Sequence, residues 1–210
     1  AAEQGHQTAK EWKGKAAAEL TPEQIKKVGV DQLKFKSERG SAKAQFLLAG
    51  KYYYGDGIGK NKKEAIKCYR KAAEQGYVLA QFDLAGLYGR GDGVEKDKKE
   101  AEEWVRKAAE QGHVEAQYAL GGVYRHGKGV ARDDKEAVKW YRKAAGQEHA
   151  KAQYSLGAMY WYGEGVEKDM AQAYLWMSLA AEQGHQTAKE WKGKAAAKLT
   201  PEQIKKVEVN

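Results

Sequence analysis

The histidines are the first residues whose type and spacing could support chemistry. His6, His113, His149 and His185 recur at one position of a repeating sequence, and rows of imidazoles can hold metals or relay protons. Successive copies would stand a helix pair apart, about 10 Å or more, whereas a shared ion needs its ligands at about 2 Å. No metal site is expected from them. Cys68, the single cysteine, falls where other copies carry Trp104, Trp140 and Trp176. It reads as a buried gap-filler with no base matched to it rather than as a nucleophile. One cysteine also excludes an internal disulfide framework.

Gly55-Asp56-Gly57-Ile58-Gly59 has the composition of a phosphate loop. It would follow a helix instead of a strand, and a version of it recurs in every copy, which favours a turn. Arg90-Gly91-Asp92 is the tripeptide that integrins read, but the same slots hold His126-Gly127-Lys128 and Tyr162-Gly163-Glu164, so the glycine is structural. Glu64, Glu100 and Glu136 sit at helix starts, with no apolar surroundings to raise their pKa. No catalytic residue, cofactor or metal is expected, and the chain does not read as an enzyme.

What must position these residues is a period. Ala44-Gln45 recurs as Ala80-Gln81, Ala116-Gln117 and Ala152-Gln153, each 36 residues on. Such self-similarity is the signature of a stacked array. Leu84 and Tyr88 follow Ala80 at helical spacing, and a Gly-x-Gly pair then ends the first helix of each unit. Asn61-x-x-Glu64, Asp97-x-x-Glu100, Asp133-x-x-Glu136 and Asp169-x-x-Gln172 each match a capping box and open the second helix. That helix buries a face such as Ala101, Trp104, Val105, Ala108 and Ala109. Gly76, Gly112 and Gly184 close it, whereas Ala145-Gly146-Gln147-Glu148 brings its glycine two residues early and predicts a locally different turn. Helices are expected at 43–54, 62–75, 79–90, 98–111, 115–126, 134–146, 151–162 and 170–183, with no sheet.

The run Ala-x-Tyr/Phe-x-Leu-Gly/Ala-x-x-Tyr-x-x-Gly-x-Gly-Val, followed by Asp-x-x-x-Ala-x-x-Trp-Tyr-x-x-Ala-Ala-Glu-Gln-Gly, resembles the Sel1-like repeat, a relative of the tetratricopeptide repeat. The resemblance covers residues 38 to 187. It implies an all-α fold, a right-handed superhelical α-solenoid of stacked antiparallel helix pairs whose concave face binds protein partners. Some members bridge the two helices of a unit with cysteines, and this chain falls outside that subgroup.

Residues 180–209 return as residues 1–30 with two differences, Glu19 for Lys198 and Gly29 for Glu208. The C-terminal copy reads as a cap, with a helix from Gln186 to Ala197 and a shorter one opened by Thr200 and Pro201. The expected organisation is a duplicated cap plus junction at 1–36, with 29–36 as the junction, an array at 37–187 and capping helices at 188–210. Because the chain opens inside this pattern, a native start upstream of Ala1 is expected to have been removed.

Apolar runs fall far short of the roughly 20 residues that span a bilayer, so the chain reads as soluble. The compartment stays open, and the resemblance allows a periplasmic or secreted protein. A net charge of +8 favours an acidic partner. Nucleic acid is disfavoured, since the lysines recur at solvated positions and no groove-reading motif is present. The partner expected is another protein. The alternative is an immunity protein neutralising a secreted bacterial toxin such as a phospholipase, as in some chains resembling this family.

Subtracting the inward residues of each first helix leaves a stripe at offsets 3, 7 and 10 from the landmark alanine. It reads Leu47, Lys51 and Tyr54; Asp83, Leu87 and Arg90; Ala119, Val123 and His126; Ser155, Met159 and Tyr162. These positions change character between units, as a partner surface would. In related repeats the first helix lines the groove, which implies contact through Tyr54, Arg90, His126 and Tyr162.

Overall fold

The computed structural model describes residues 21–208, so His6 and most of the N-terminal duplicate lie outside the described residues. Among the described residues every regular element is an α-helix. They are α1 Pro22–Glu38, α2 Ala42–Tyr54, α3 Lys62–Glu74, α4 Val78–Arg90, α5 Lys98–Glu110, α6 Val114–His126, α7 Asp134–Ala145, α8 Ala150–Tyr162, α9 Met170–Glu182, α10 Gln186–Ala196 and α11 Pro201–Glu208. Every boundary expected for α2 to α9 falls within one residue of the observed one. Contacts divide the chain into two compact units, one running to Ala80 with Asp92–Val94, the other comprising Gln81–Gly91 and Glu95 onward. Within each, consecutive helices pack as the antiparallel pairs of an α-solenoid.

The landmark residues are the core. Ala44, Leu48 and Ala65 are buried in the first unit, and Leu84, Leu120, Leu156 and Met177 in the second. A buried glutamine tightens each interface. Gln117 donates its side-chain amide to the Ala109 carbonyl at 3.1 Å and accepts from Gln147 at 2.8 Å. Gln153 repeats this with Ala145 and Gln183, and in the first unit Gln45 does so with Ser37 and Gln75. These carbonyls end helices, where intrahelical partners run out.

The four expected capping boxes form by half. Asn61, Asp97, Asp133 and Asp169 each accept from the backbone N–H three residues on. The reciprocal bond is not made, because each cap's own N–H donates to the carbonyl of Tyr52, Tyr88, Tyr124 or Tyr160 in the preceding helix. A backbone contact across the Gly-x-Gly turn displaces the side-chain one. The full box does form at Thr21 with Gln24 and at Thr200 with Gln203, where no such carbonyl among the described residues takes the cap's N–H.

The stretch 29–36, expected as a junction, is helical. Helix α1 runs through it. It buries Val30, which is 2% exposed, and it stands in for the second helix of a preceding repeat. A β-carbon on Gly57 would lie 3.1 Å from the Lys26 carbonyl oxygen and 3.2 Å from Val30. Gly93 approaches Lys62 and Ile66 in the same way, 36 residues on.

The third-unit turn differs as expected. Gly76, Gly112 and Gly184 adopt the left-handed backbone at φ 82, 89 and 86, and Glu148 takes that conformation at φ 62. Gly146 stays right-handed at φ −67.

Candidate partner-binding surface

The stripe divides by depth. Tyr54, Arg90, His126 and Tyr162, one from each first helix, are all exposed, Tyr54 at 75% and Tyr162 at 54%. Asp83 is also exposed, and Lys51 and Val123 are half-buried. Leu87 and Met159 are buried, at 3% and 0%, and their assignment to a contact surface is corrected. At about 100° per residue, offset 7 falls about 20° from the landmark alanine, inside the arc that packs against the stack. Met159 accordingly joins a core cluster with Leu156 and Tyr141, where burial pushes the Tyr141 phenol up to about 12. In the first unit Lys51 bonds Asp56, which also pairs with Lys26 at 3.2 Å, and the two ammonium groups hold that carboxyl below its ordinary range.

In the second unit the structure brings Asp83, Arg90 and Val123 together around a cleft of about 610 Å³ between α4, α5 and α6. Its floor is apolar, made by Phe82, Ala85, Ala101, Val105, Ala119 and Val123. Its mouth carries Asp83, Arg90, Lys96, Lys98, Glu102 and Lys128. Glu102 is neutralised by Arg106, one turn along its helix. Although Asp83 reaches solvent, the cleft packed around it desolvates the carboxyl and pushes its pKa up, against the pull of His113 and Arg90. Further along, Tyr162 meets Trp191 at 6.0 Å, and Trp161 meets the same ring edge-on at 5.3 Å.

The histidines serve the stack. His113, His149 and His185 cap helices α6, α8 and α10, each accepting a backbone N–H at Nδ1. Each ring also packs on an aromatic one, Phe82, Tyr118 or Tyr154. Cys68, expected to be buried, is half-buried, and desolvation raises its thiol pKa, the opposite of an activated nucleophile. Among the described residues no group of three His, Cys, Asp or Glu side chains is placed to hold a metal. None of the described helices is long and apolar enough to cross a membrane.

The Sel1 repeat profile matches residues 42–77, 78–113, 114–149 and 150–185, in register with the helix pairs. The chain belongs to the Sel1 repeat family. Among solved structures it is similar to a Sel1 repeat protein from Oxalobacter formigenes, at 36% identity and a TM-score of 0.75 over 80% of this chain and 49% of that one. It thus spans about half the length of that relative. It is also similar to c5321, a protective antigen of uropathogenic Escherichia coli strains with an SLR fold, at 28% identity and a TM-score of 0.52, covering 88% of this chain and 55% of that one. Helicobacter pylori cysteine rich protein B aligns at 27% identity and a TM-score of 0.50, over 62% of this chain and 94% of that one. No curated protein matches the chain significantly.

Sequence reasoning missed the cleft of this Sel1 repeat protein, and with it Gly89, Lys98 and Lys128. The signal lay in comparing units position by position. Where α4 has Gly89, the other first helices of the Sel1 array have Tyr53, Arg125 and Trp161.

Proposed function

We propose that this chain is a protein-binding scaffold that engages its partner through the exposed ends of its first helices, Tyr54, Arg90, His126 and Tyr162. One observation carries this reading: the position is exposed in all four repeats and varies among Tyr, Arg and His, while the landmarks around it are buried and repeated. Folding requires no particular residue there, and large Tyr and Arg side chains are typical interface anchors. The charge of +8 favours an acidic partner. An inhibitor of a secreted enzyme would use the same surface, and the identity of the captured partner separates the two readings.

The test is capture of the partner from the native host, followed by binding measurements with purified components. Arg90→Ala and Tyr162→Ala should each weaken binding by about 1 kcal/mol or more and leave the thermal midpoint nearly unchanged. Binding that survives the double change and is lost on altering exposed second-helix residues overturns the proposal.

A further inference from the structure

The turn after each first helix carries a charge tie that is conserved in register and broken at one place. In the first unit Lys26 pairs with Asp56, and Lys62 pairs with Asp92, each thirty residues on. Tyr53 adds a hydroxyl bond to Asp92. In the second unit Arg125 fills the Tyr53 slot and binds Glu164, in the Asp92 slot, at 3.0 Å. The remaining set is Gly89, Lys98 and Lys128. Its acid is replaced by a lysine, and the side chain that would reach it is absent.

Lys98 and Lys128 line the same cleft, and neither makes an ion pair among the described residues. Folding gains nothing from bringing two like charges to one mouth. Gly89 also opens space: a β-carbon there would meet only the Ala101 methyl, at 3.9 Å. The mouth thus holds four cations, Arg90, Lys96, Lys98 and Lys128, against two carboxylates, Asp83 and the Arg106-paired Glu102, and it stands over an apolar floor.

We infer that this cleft receives an acidic segment of a partner protein. A carboxylate of the segment takes the place between Lys98 and Lys128 that Asp92 holds beside Lys62, and an adjacent apolar side chain fills the space over Gly89. The inference rests on the scaffold reading and names the partner chemistry at one of its surfaces. Charge complementarity and the paired ties in the other repeats argue for a carboxylate, and the apolar floor argues for a peptide over a bare anion or a nucleic-acid backbone.

The experiment uses fluorescence anisotropy with an array of labelled acidic dodecapeptides, each carrying one Leu, Phe or Trp among Glu and Asp. An all-acidic peptide, a lysine-rich peptide and a single-stranded oligonucleotide are included. The wild-type chain should prefer the acidic peptides with an apolar residue. Lys128→Asp rebuilds the internal tie, so it should weaken that binding at least tenfold and raise the thermal midpoint. Gly89→Tyr, a side chain Tyr53 shows the fold accommodates, should weaken it similarly by filling the floor. The inference is overturned if no acidic peptide binds, if the oligonucleotide or the lysine peptide binds better, or if both variants bind as the wild type does. Partner binding that is lost with Tyr162→Ala but unchanged by Lys128→Asp would sink the cleft assignment and leave the scaffold reading standing.

Discussion

Gln147 donates its side-chain amide to the buried Gln117 at 2.8 Å, across thirty residues of sequence. Gln117, 5% exposed, passes the connection to the Ala109 carbonyl, so one side chain joins three helix ends. Gln117→Ala would leave that carbonyl without its side-chain donor and open a gap. It should cost about 2 to 3 kcal/mol, read as a lower urea midpoint. An unchanged midpoint would show that the glutamine relay adds nothing.

Glu148 holds a left-handed backbone that its counterparts give to glycine, at a cost of about 1 kcal/mol for a side chain with a β-carbon. Glu148→Gly should therefore raise stability by about that amount. Gly146→Glu adds to it, because Gly146 is right-handed and glycine there is unfavourable. The swapped pair restores the Glu-Gln-Gly order of the other units. A thermal midpoint at or below that of the wild type would refute the account.

Burial holds the His149 pKa below its ordinary value of 6.5, and its Nδ1 accepts the Ala152 N–H at 3.1 Å. The folded state keeps the ring neutral, so as the pH falls through 6.5 the unfolded chain binds the proton first. The stabilisation from this residue is full above that value and declines below it, until the folded ring protonates as well. His149→Asn keeps a capping acceptor that does not titrate. Urea midpoints taken near neutrality and about one unit below 6.5 should fall further for the wild type than for the variant. Parallel falls would exclude His149 as the source.

Trp140 is 7% exposed, with the Lys143 ammonium 4.1 Å from its ring centre. Trp140→Ala should cost about 3 to 5 kcal/mol, the usual loss for a large buried aromatic. Lys128→Ala, on an exposed side chain without an ion pair, should stay within about 0.5 kcal/mol. Chemical melts of the two variants compare them directly, and equal midpoints would remove the second-helix tryptophan from the core.

The period, the helix pairs, their ends and the buried landmarks were legible in the sequence, because they are set by interactions within a turn or two of helix. Asp97 caps its helix through an N–H three residues away, and Ala80, Leu84 and Tyr88 share a face by spacing alone. Even the irregular turn at Glu148 was readable from a misplaced glycine. What lay beyond that range was misread or missed. The two copies of the cap begin a helix with the same Thr box, and α1 carries on through 29–36, where Val30 lies in the core. The stripe placed Leu87 and Met159 at the surface, where the stack buries them.

Only the tertiary structure decided which side chains meet across thirty or more residues. The tie of Lys62 to Asp92 and its absence between Lys98 and Lys128 are visible once consecutive repeats are stacked. So is the capture of each cap's N–H by a tyrosine carbonyl of the helix before. The sequence determines local conformation through bonds and clashes that each segment makes with itself. Stacking determines which polar and charged groups are satisfied, because their partners come from neighbouring repeats, and that sets the surface left for another molecule.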